Sequence, residues 1–288
     1  MLEKTYYFLI KLVKTAISLL RIVLFSKKTR LPDCKTSESC VILGNGPSLK
    51  DTISGHFDFL QKQDSIAVNF FVNSEFYEKL QPQYYMLTAV DFWLQKVDDE
   101  RQKNRMILFQ NIARKTRWDV VLCIPHIAKK AHHWQDVLLC NAHLKIVYIN
   151  ETVVEGFSTI NHFLYKKNLG MPRPHNVLVP SLMFAINSGY KKIYLVGADH
   201  SWLPTIRVTE DNEAVLVQQH FYDKHKVQEK PMKTLNIGEK RPLHMILHKF
   251  MLAFRGYFEI DAYSKQRGVE IVNATPDSFI DAFKRVKL

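Results

Sequence analysis

Short, uninterrupted apolar runs, each closing on a polar residue, constrain the fold of this 288-residue chain more than any other feature. Cys40-Val41-Ile42-Leu43 runs into Gly44-Asn45-Gly46, and Ser65-Ile66-Ala67-Val68 stops at Asn69. Tyr84-Tyr85-Met86-Leu87-Thr88 closes near Asp91, and Lys192-Ile193-Tyr194-Leu195-Val196 closes on Gly197-Ala198-Asp199-His200. Val120 to Ile124, Ile146 to Ile149 and Glu270 to Asn273 extend the series. A strand with one wet face alternates apolar and polar residues, whereas these runs do not. Their pattern belongs to strands covered on both faces, as in a parallel sheet clad by helices. Helical segments fall between them, including Ser181 to Ser188 with Gly189 as its stop, and a long one over 241–266. The expected fold class is therefore α/β, a doubly wound, mainly parallel sheet, preceded by an amphipathic N-terminal helix. Such sheets bind ligands beyond the carboxyl ends of their strands, at the point where strand order reverses. Asn45, Asn69, Asp91 and Asp199 all stand at such ends.

Composition narrows the class further. With 47% hydrophobic and 24% charged residues the chain is neither disordered nor fibrous. Cys34, Cys40, Cys123 and Cys140 form no C-x-x-C pair and read as reduced thiols of a cytosolic protein. The net charge of +12 is uneven, because residues 1–30 hold half of it. That is a basic anchor on a mildly basic body, not the spread footprint of a nucleic-acid-binding domain, and no nucleic-acid partner is expected.

Residues Tyr6 to Phe25 place Lys11, Lys14, Thr15, Ser18 and Arg21 on one helical stripe, with apolar residues over the rest. Three cations at about 2.5–3.5 kcal/mol each at mid-membrane oppose a span. No uncharged core followed by a small-residue cleavage site marks a signal peptide. The stretch reads as a helix lying in the cytoplasmic interface of the inner membrane, its cations toward anionic headgroups and Lys27, Lys28 and Arg30 as a basic flank. Residues 31–40 read as a hinge-like linker, and 41–288 as the globular domain.

The loop Gly44-Asn45-Gly46-Pro47-Ser48 suits close backbone approach to a ligand, with N–H groups turned to a phosphate. Ser48 is placed either to bond a phosphate oxygen or to cap the following helix, and Asn45 to donate from its amide. The third glycine of G-x-G-x-x-G is replaced by Leu49, and the pattern is not a Walker loop.

Val41 to Lys50 resembles the opening motif of the bacterial lipooligosaccharide-type sialyltransferases and of the related MptE-like and motility-accessory-factor proteins. Ala67-Val68-Asn69-Phe70-Phe71, the segment from Pro180-Ser181 through Asn187 to Asp199, and Asn273 to Ser278 extend the resemblance over roughly residues 40–280. It implies a Rossmann-like domain and a metal-independent, inverting glycosyltransferase. The donor would be a nucleotide-activated sugar, a CMP-sialic-acid-like one favoured, and the acceptor a glycan or glycolipid of bacterial surface-glycan assembly. No cofactor is implied; a homo-oligomer stays open. The same scaffold also carries an MptE-like pyrophosphokinase, and a non-catalytic nucleotide-binding assembly subunit is the third alternative. By this resemblance Gly44, Asn45, Gly46, Ser48, Asn69, Asp91, Ser181, Gly197 and Asp199 would line the donor site, Asp91 toward a ribose or sugar hydroxyl. The family's lid tyrosines have no clean match here; Trp202 and Tyr222 are the candidates for that place, and 200–232 reads as the lid.

An inverting transfer needs a base for the acceptor hydroxyl and donors for the departing phosphate. His244, following Arg241-Pro242 at the helix start, and His248 lie shortly before the last strand, with His244 preferred and His248 second. Arg241 is placed to pair with a phosphate or an acceptor carboxylate. No Asp-x-Asp pair exists to bridge a diphosphate through a metal, and His244 and His248 lack the Glu of an H-E-x-x-H site, so no metal site is expected.

Overall fold

A computed structural model describes residues 2–223, 225, 227–233 and 239–288. The helices are α1 (Leu2–Phe25), α2 (Leu49–Gln61), α3 (Phe76–Leu80), α4 (Asp99–Lys115), α5 (Gln135–Leu138), α6 (Ser158–Lys166), α7 (Leu178–Asn187) and α8 (Leu243–Gln266). Eight strands form the main sheet: β1 (Ser39–Leu43), β2 (Asp64–Val68), β3 (Tyr84–Met86), β4 (Val120–Pro125), β5 (Leu144–Ile149), β6 (Lys192–Val196), β10 (Glu270–Asn273) and β11 (Lys284–Arg285). Between β6 and β10, strands β7 (Arg207–Val208), β8 (Ala214–Leu216) and β9 (Lys230–Pro231) make a small antiparallel sheet.

The main sheet runs β11-β10-β6-β1-β2-β3-β4-β5, with every pair parallel. Order reverses between β1 and β6, so the crevice of a doubly wound sheet falls where their following loops diverge. Strand faces alternate between two cores. Ile42, Ile66 and Met86 meet α7 and α8 on one side, and Val41, Ala67 and Tyr85 meet α2 and α4 on the other. Burial on both faces is why these strands read as continuous apolar runs. The sequence reading holds for this architecture. The fine bounds differ: α7 starts at Leu178 rather than Ser181, and the edge strand β11 and the three short strands β7–β9 went unread.

The N-terminal helix is oriented opposite to expectation. Its polar stripe, Lys11 excepted, faces the protein and not the outside. The Thr15 and Ser18 side chains are buried; Thr15 Oγ1 accepts from Phe157 N at 3.0 Å, and Ser18 Oγ donates to the Glu155 carbonyl at 2.8 Å. Lys14 and Arg21 approach the Glu155 carboxylate at 3.9 and 4.0 Å, and Arg173 and Arg255 reach it at 3.2 and 2.9 Å. Gly156 admits Thr15, since a Cβ there would collide with the Thr15 side chain. Four cations around a mostly buried carboxylate explain the inversion, because a lone buried charge costs several kcal/mol. What is left outside is apolar: Val23 is 80% exposed, Phe25 65% and Leu20 59%.

The segment 31–40 is also tied down. Thr36 and Ser37 donate their backbone N–H groups to the Asp64 carboxylate at 2.8 and 3.2 Å, and Tyr190 Oη donates to the same group at 2.7 Å.

Candidate functional site

The glycine loop after β1 packs against the loop after β6. Gly44 N donates to the Val196 carbonyl at 2.8 Å and Gly46 N to the Gly197 carbonyl at 2.7 Å. Ser48 N and Oγ donate to the Asp199 carboxylate at 3.0 and 2.9 Å. A Cβ on Gly46 would meet the Asp199 carboxylate and stand 2.7 Å from the Gly197 carbonyl. Gly197 itself adopts φ 62°, and a Cβ there would sit 2.8 Å from Leu49 Cβ. The glycines therefore serve a backbone-on-backbone contact, and Asp199 already occupies the N-terminus of α2. This corrects the expectation that the N–H groups of Gly44, Gly46 and Ser48 are turned to a phosphate. Burial pushes the Asp199 carboxyl above its usual range, and the two Ser48 hydrogen bonds pull it back.

Beyond this contact, a cavity of about 550 Å³ opens at the strand ends. Gly44, Asn45, Gly46, Asn69, Asp91, Gly197, Asp199, Trp202 and Tyr222 all line it. Asn45 donates through Nδ2 to the Val68 carbonyl at 3.0 Å, and the Asn69 carbonyl accepts from Tyr85 Oη at 2.6 Å. The side-chain carbonyls of Asn45 and Asn69 are buried and have no hydrogen-bond partner among the described residues, a rare state for a buried acceptor. Asn69 holds φ 47°, a left-handed conformation that Asn tolerates.

Two expected residues lie elsewhere. Ser181 is fully buried inside α7, its hydroxyl donating to the Val177 carbonyl at 2.8 Å. The earlier start of α7 makes it an interior helix position. Ser48 lines instead an adjoining cavity of about 980 Å³, which shares Asp199 and Ser201 with the first.

Residues 220–222 pack on the glycine loop. Phe221 N donates to the Asn45 carbonyl at 3.2 Å, and the Tyr222 and His220 rings stack at 5.1 Å. Trp202 packs on Phe250 of α8 at 3.8 Å between ring centroids. The small sheet beneath has its own core of Ala214, Leu216, Ile246 and Phe250. Of the span 200–232, positions 224 and 226 lie outside the described residues.

A second cavity, of about 660 Å³, adjoins the first and shares Asn69, Ala89, Asp91, Asn176 and Val177 with it. His244, His248 and Arg241 line this one. The fold thus brings both candidate bases to the strand-end cleft, one compartment away from the glycine loop.

His200 escaped the sequence reading as a site residue. It lines the first cavity at φ 53°, a strained backbone for a bulky side chain. Asn176 Nδ2 donates to Tyr257 Oη at 2.9 Å, while Asn176 Oδ1 accepts from Leu178 N at 3.0 Å, which fixes the amide. Tyr257 Oη and His200 Nε2 share a hydrogen bond at 2.7 Å. Burial pushes the His200 pKa down to about 4. The stability gained by keeping it neutral is complete above pH 6.5 and is lost as pH falls from 6.5 toward 4. Glu151 works the other way: burial pushes its carboxyl up to about 8, so its contribution fades as pH rises from 4.5 toward 8. The difference between wild type and His200→Asn isolates the histidine. That difference is expected to shift by about 2 kcal/mol between pH 7 and 4.5 in urea unfolding. Parallel curves would show that His200 is not held neutral.

No protein-family model and no curated protein matches the sequence. Among solved structures, the fold is similar to the MAf glycosyltransferase from Magnetospirillum magneticum AMB-1, at 12% identity and a TM-score of 0.48. The similarity covers 91% of this chain and 35% of that one, so this chain spans about a third of that protein's length.

Proposed function

We propose that this chain is a glycosyltransferase of bacterial surface-glycan biosynthesis. It takes a nucleotide-activated sugar, a CMP-sialic-acid-like donor favoured, and transfers it with inversion and without a metal to a glycan or glycolipid acceptor. The observation that carries the reading is the two-compartment cleft. Asn45 lines one compartment, His244 and His248 line the other, and Asn69, Asp91 and Asn176 are shared. Nucleoside and sugar hydroxyls suit the acceptors of the first compartment, and the acceptor substrate suits the second.

In this mechanism His244, with His248 as the second candidate, removes the proton of the acceptor hydroxyl. The oxygen forms its bond to the anomeric carbon as that carbon's bond to the nucleotide phosphate breaks, and the phosphate leaves with the electron pair. Neutral His200 offers an N–H donor in the cavity wall that adds no charge. Among the described residues, no group of three or more His, Cys, Asp or Glu is arranged to hold a metal ion.

The outward apolar face of α1, with exposed Lys4, Lys11, Lys27, Lys28 and Arg30 around it, supports peripheral attachment to an anionic inner-membrane surface. No helix among the described residues is long and apolar enough to cross a membrane.

The test is transfer from CMP- and UDP-activated sugars to membrane-extracted glycans. Turnover is expected to persist in EDTA at wild-type rate. Activity abolished by EDTA and restored by Mn²⁺ would contradict the mechanism.

A further inference from the structure

We infer that the cavity beside α8 is a phosphate-binding subsite for the acceptor, so that the acceptor carries a phosphoryl group close to the hydroxyl it offers. This rests on the transferase reading and adds the substrate class. The charge in this cavity is lopsided. Lys233, Arg241 and Lys249 line it together with His175, His244 and His248, and Asp91 is the one carboxylate among its described lining residues.

These cations are not consumed by the protein's own acids. Lys249 is half-buried, and no ion pair joins it or Arg241 to a carboxylate among the described residues. Burial and the neighbouring Arg241 hold the Lys249 ammonium below its ordinary pKa, and Asp91 offsets them only in part. His175 Nε2 is buried with no hydrogen-bond partner among the described residues. Unpaired, partly desolvated cations repel one another, and a bound dianion relieves both costs. By contrast, the glycine-loop cavity is lined by Asp91, Asp199 and Asp223 and by no lysine or arginine among the described residues. Anion recognition therefore falls on the side of the cleft that holds the candidate bases.

The same helix links this subsite to the membrane-facing one. Arg255 lies about 10 Å along α8 from His248, at 1.5 Å per residue. It bonds the Glu155 carboxylate on which α1 docks, at 2.9 Å. A phosphate fixed to a lipid and a phosphate on a soluble sugar share the chemistry that this cavity recognises.

The experiment uses the full chain and inorganic phosphate as the first probe. Phosphate is expected to raise the wild-type melting temperature. Lys249→Met and Arg241→Met should each weaken phosphate affinity at least tenfold, and Lys249→Arg should restore most of it. Stabilisation by CMP should be unchanged in all three, which shows that they fold. In transfer assays the two methionine variants should raise KM for acceptor about tenfold, with donor KM unchanged. Absence of phosphate binding in wild type, or equal binding in the variants, overturns the subsite. Phosphate that competes with the nucleotide instead of the acceptor also overturns it, because the cavity would then hold the donor's phosphate. Displacement of bound phosphate by phosphatidic-acid vesicles but not by a sugar 1-phosphate assigns a lipid source, and the reverse a soluble one. Displacement by neither contradicts the proposal. If phosphate binds as described but no activated sugar is ever transferred, the subsite stands and the transferase reading falls.

Discussion

Replacing both His244 and His248 with alanine is expected to lower transfer by about 10²–10⁴-fold, the usual contribution of a positioned base. Both residues are exposed, so the double variant should keep its fold. They face the cavity that shares Asn69 and Asp91 with the glycine-loop cavity but do not line the latter, so nucleotide binding should persist. The pair lies at i, i+4 on α8, and single variants decide between them. The residue whose loss accounts for nearly all of the double-variant effect is the base, and the other is a neighbour on the same face. Full activity in the double variant would remove general-base catalysis from this helix and favour a non-catalytic nucleotide-binding subunit.

Exchanging Leu12, Leu20 and Val23 for serine should lower binding to anionic vesicles by about 100-fold. On the outer face of α1, Leu12 is 49% exposed, Leu20 59% and Val23 80%. Inserting each into the interface is worth about 1 kcal/mol, below the value for full burial because only part of the surface leaves water. Changing Lys27, Lys28 and Arg30 to glutamine should have a comparable effect at about 1 kcal/mol per charge, but only on anionic vesicles. The two sets separate apolar insertion from headgroup attraction. Neither touches the Glu155 cluster that docks the helix. Unchanged vesicle flotation in both sets would remove the membrane from the account. Concentration-dependent dimerisation of wild type, abolished by the serine set, would reassign the apolar face to a second copy.

The main sheet was legible because both of its faces are buried, which turns each strand into an unbroken apolar run that ends on its site residue. Asn45, Asn69, Asp91 and Asp199 meet at one cavity for that reason. Longer-range partners were not legible. The glycine loop looks like a phosphate cradle until Gly197 and Asp199, about 150 positions later, are seen filling it. The period of the α1 stripe reveals two faces but not which one turns inward. That choice was made by Glu155, a carboxylate whose need for cations is invisible in local sequence. Ser181 shifted from a helix start to a helix interior because α7 begins at Leu178, whose N–H the Asn176 side chain accepts at 3.0 Å. His200, Asn176 and Lys249 carry no motif, and their roles arise only when β6, α7 and α8 are packed together.

The central claim is that the strand-end cleft binds an activated nucleotide. Its most direct test is the melting temperature of wild type and Asn69→Leu against CMP, CDP, UDP, GDP and ATP. One pyrimidine nucleotide, CMP favoured, should raise the wild-type value by several degrees, the shift growing with ligand concentration and vanishing in Asn69→Leu. No shift with any nucleotide, or an equal shift in the variant, would contradict the account.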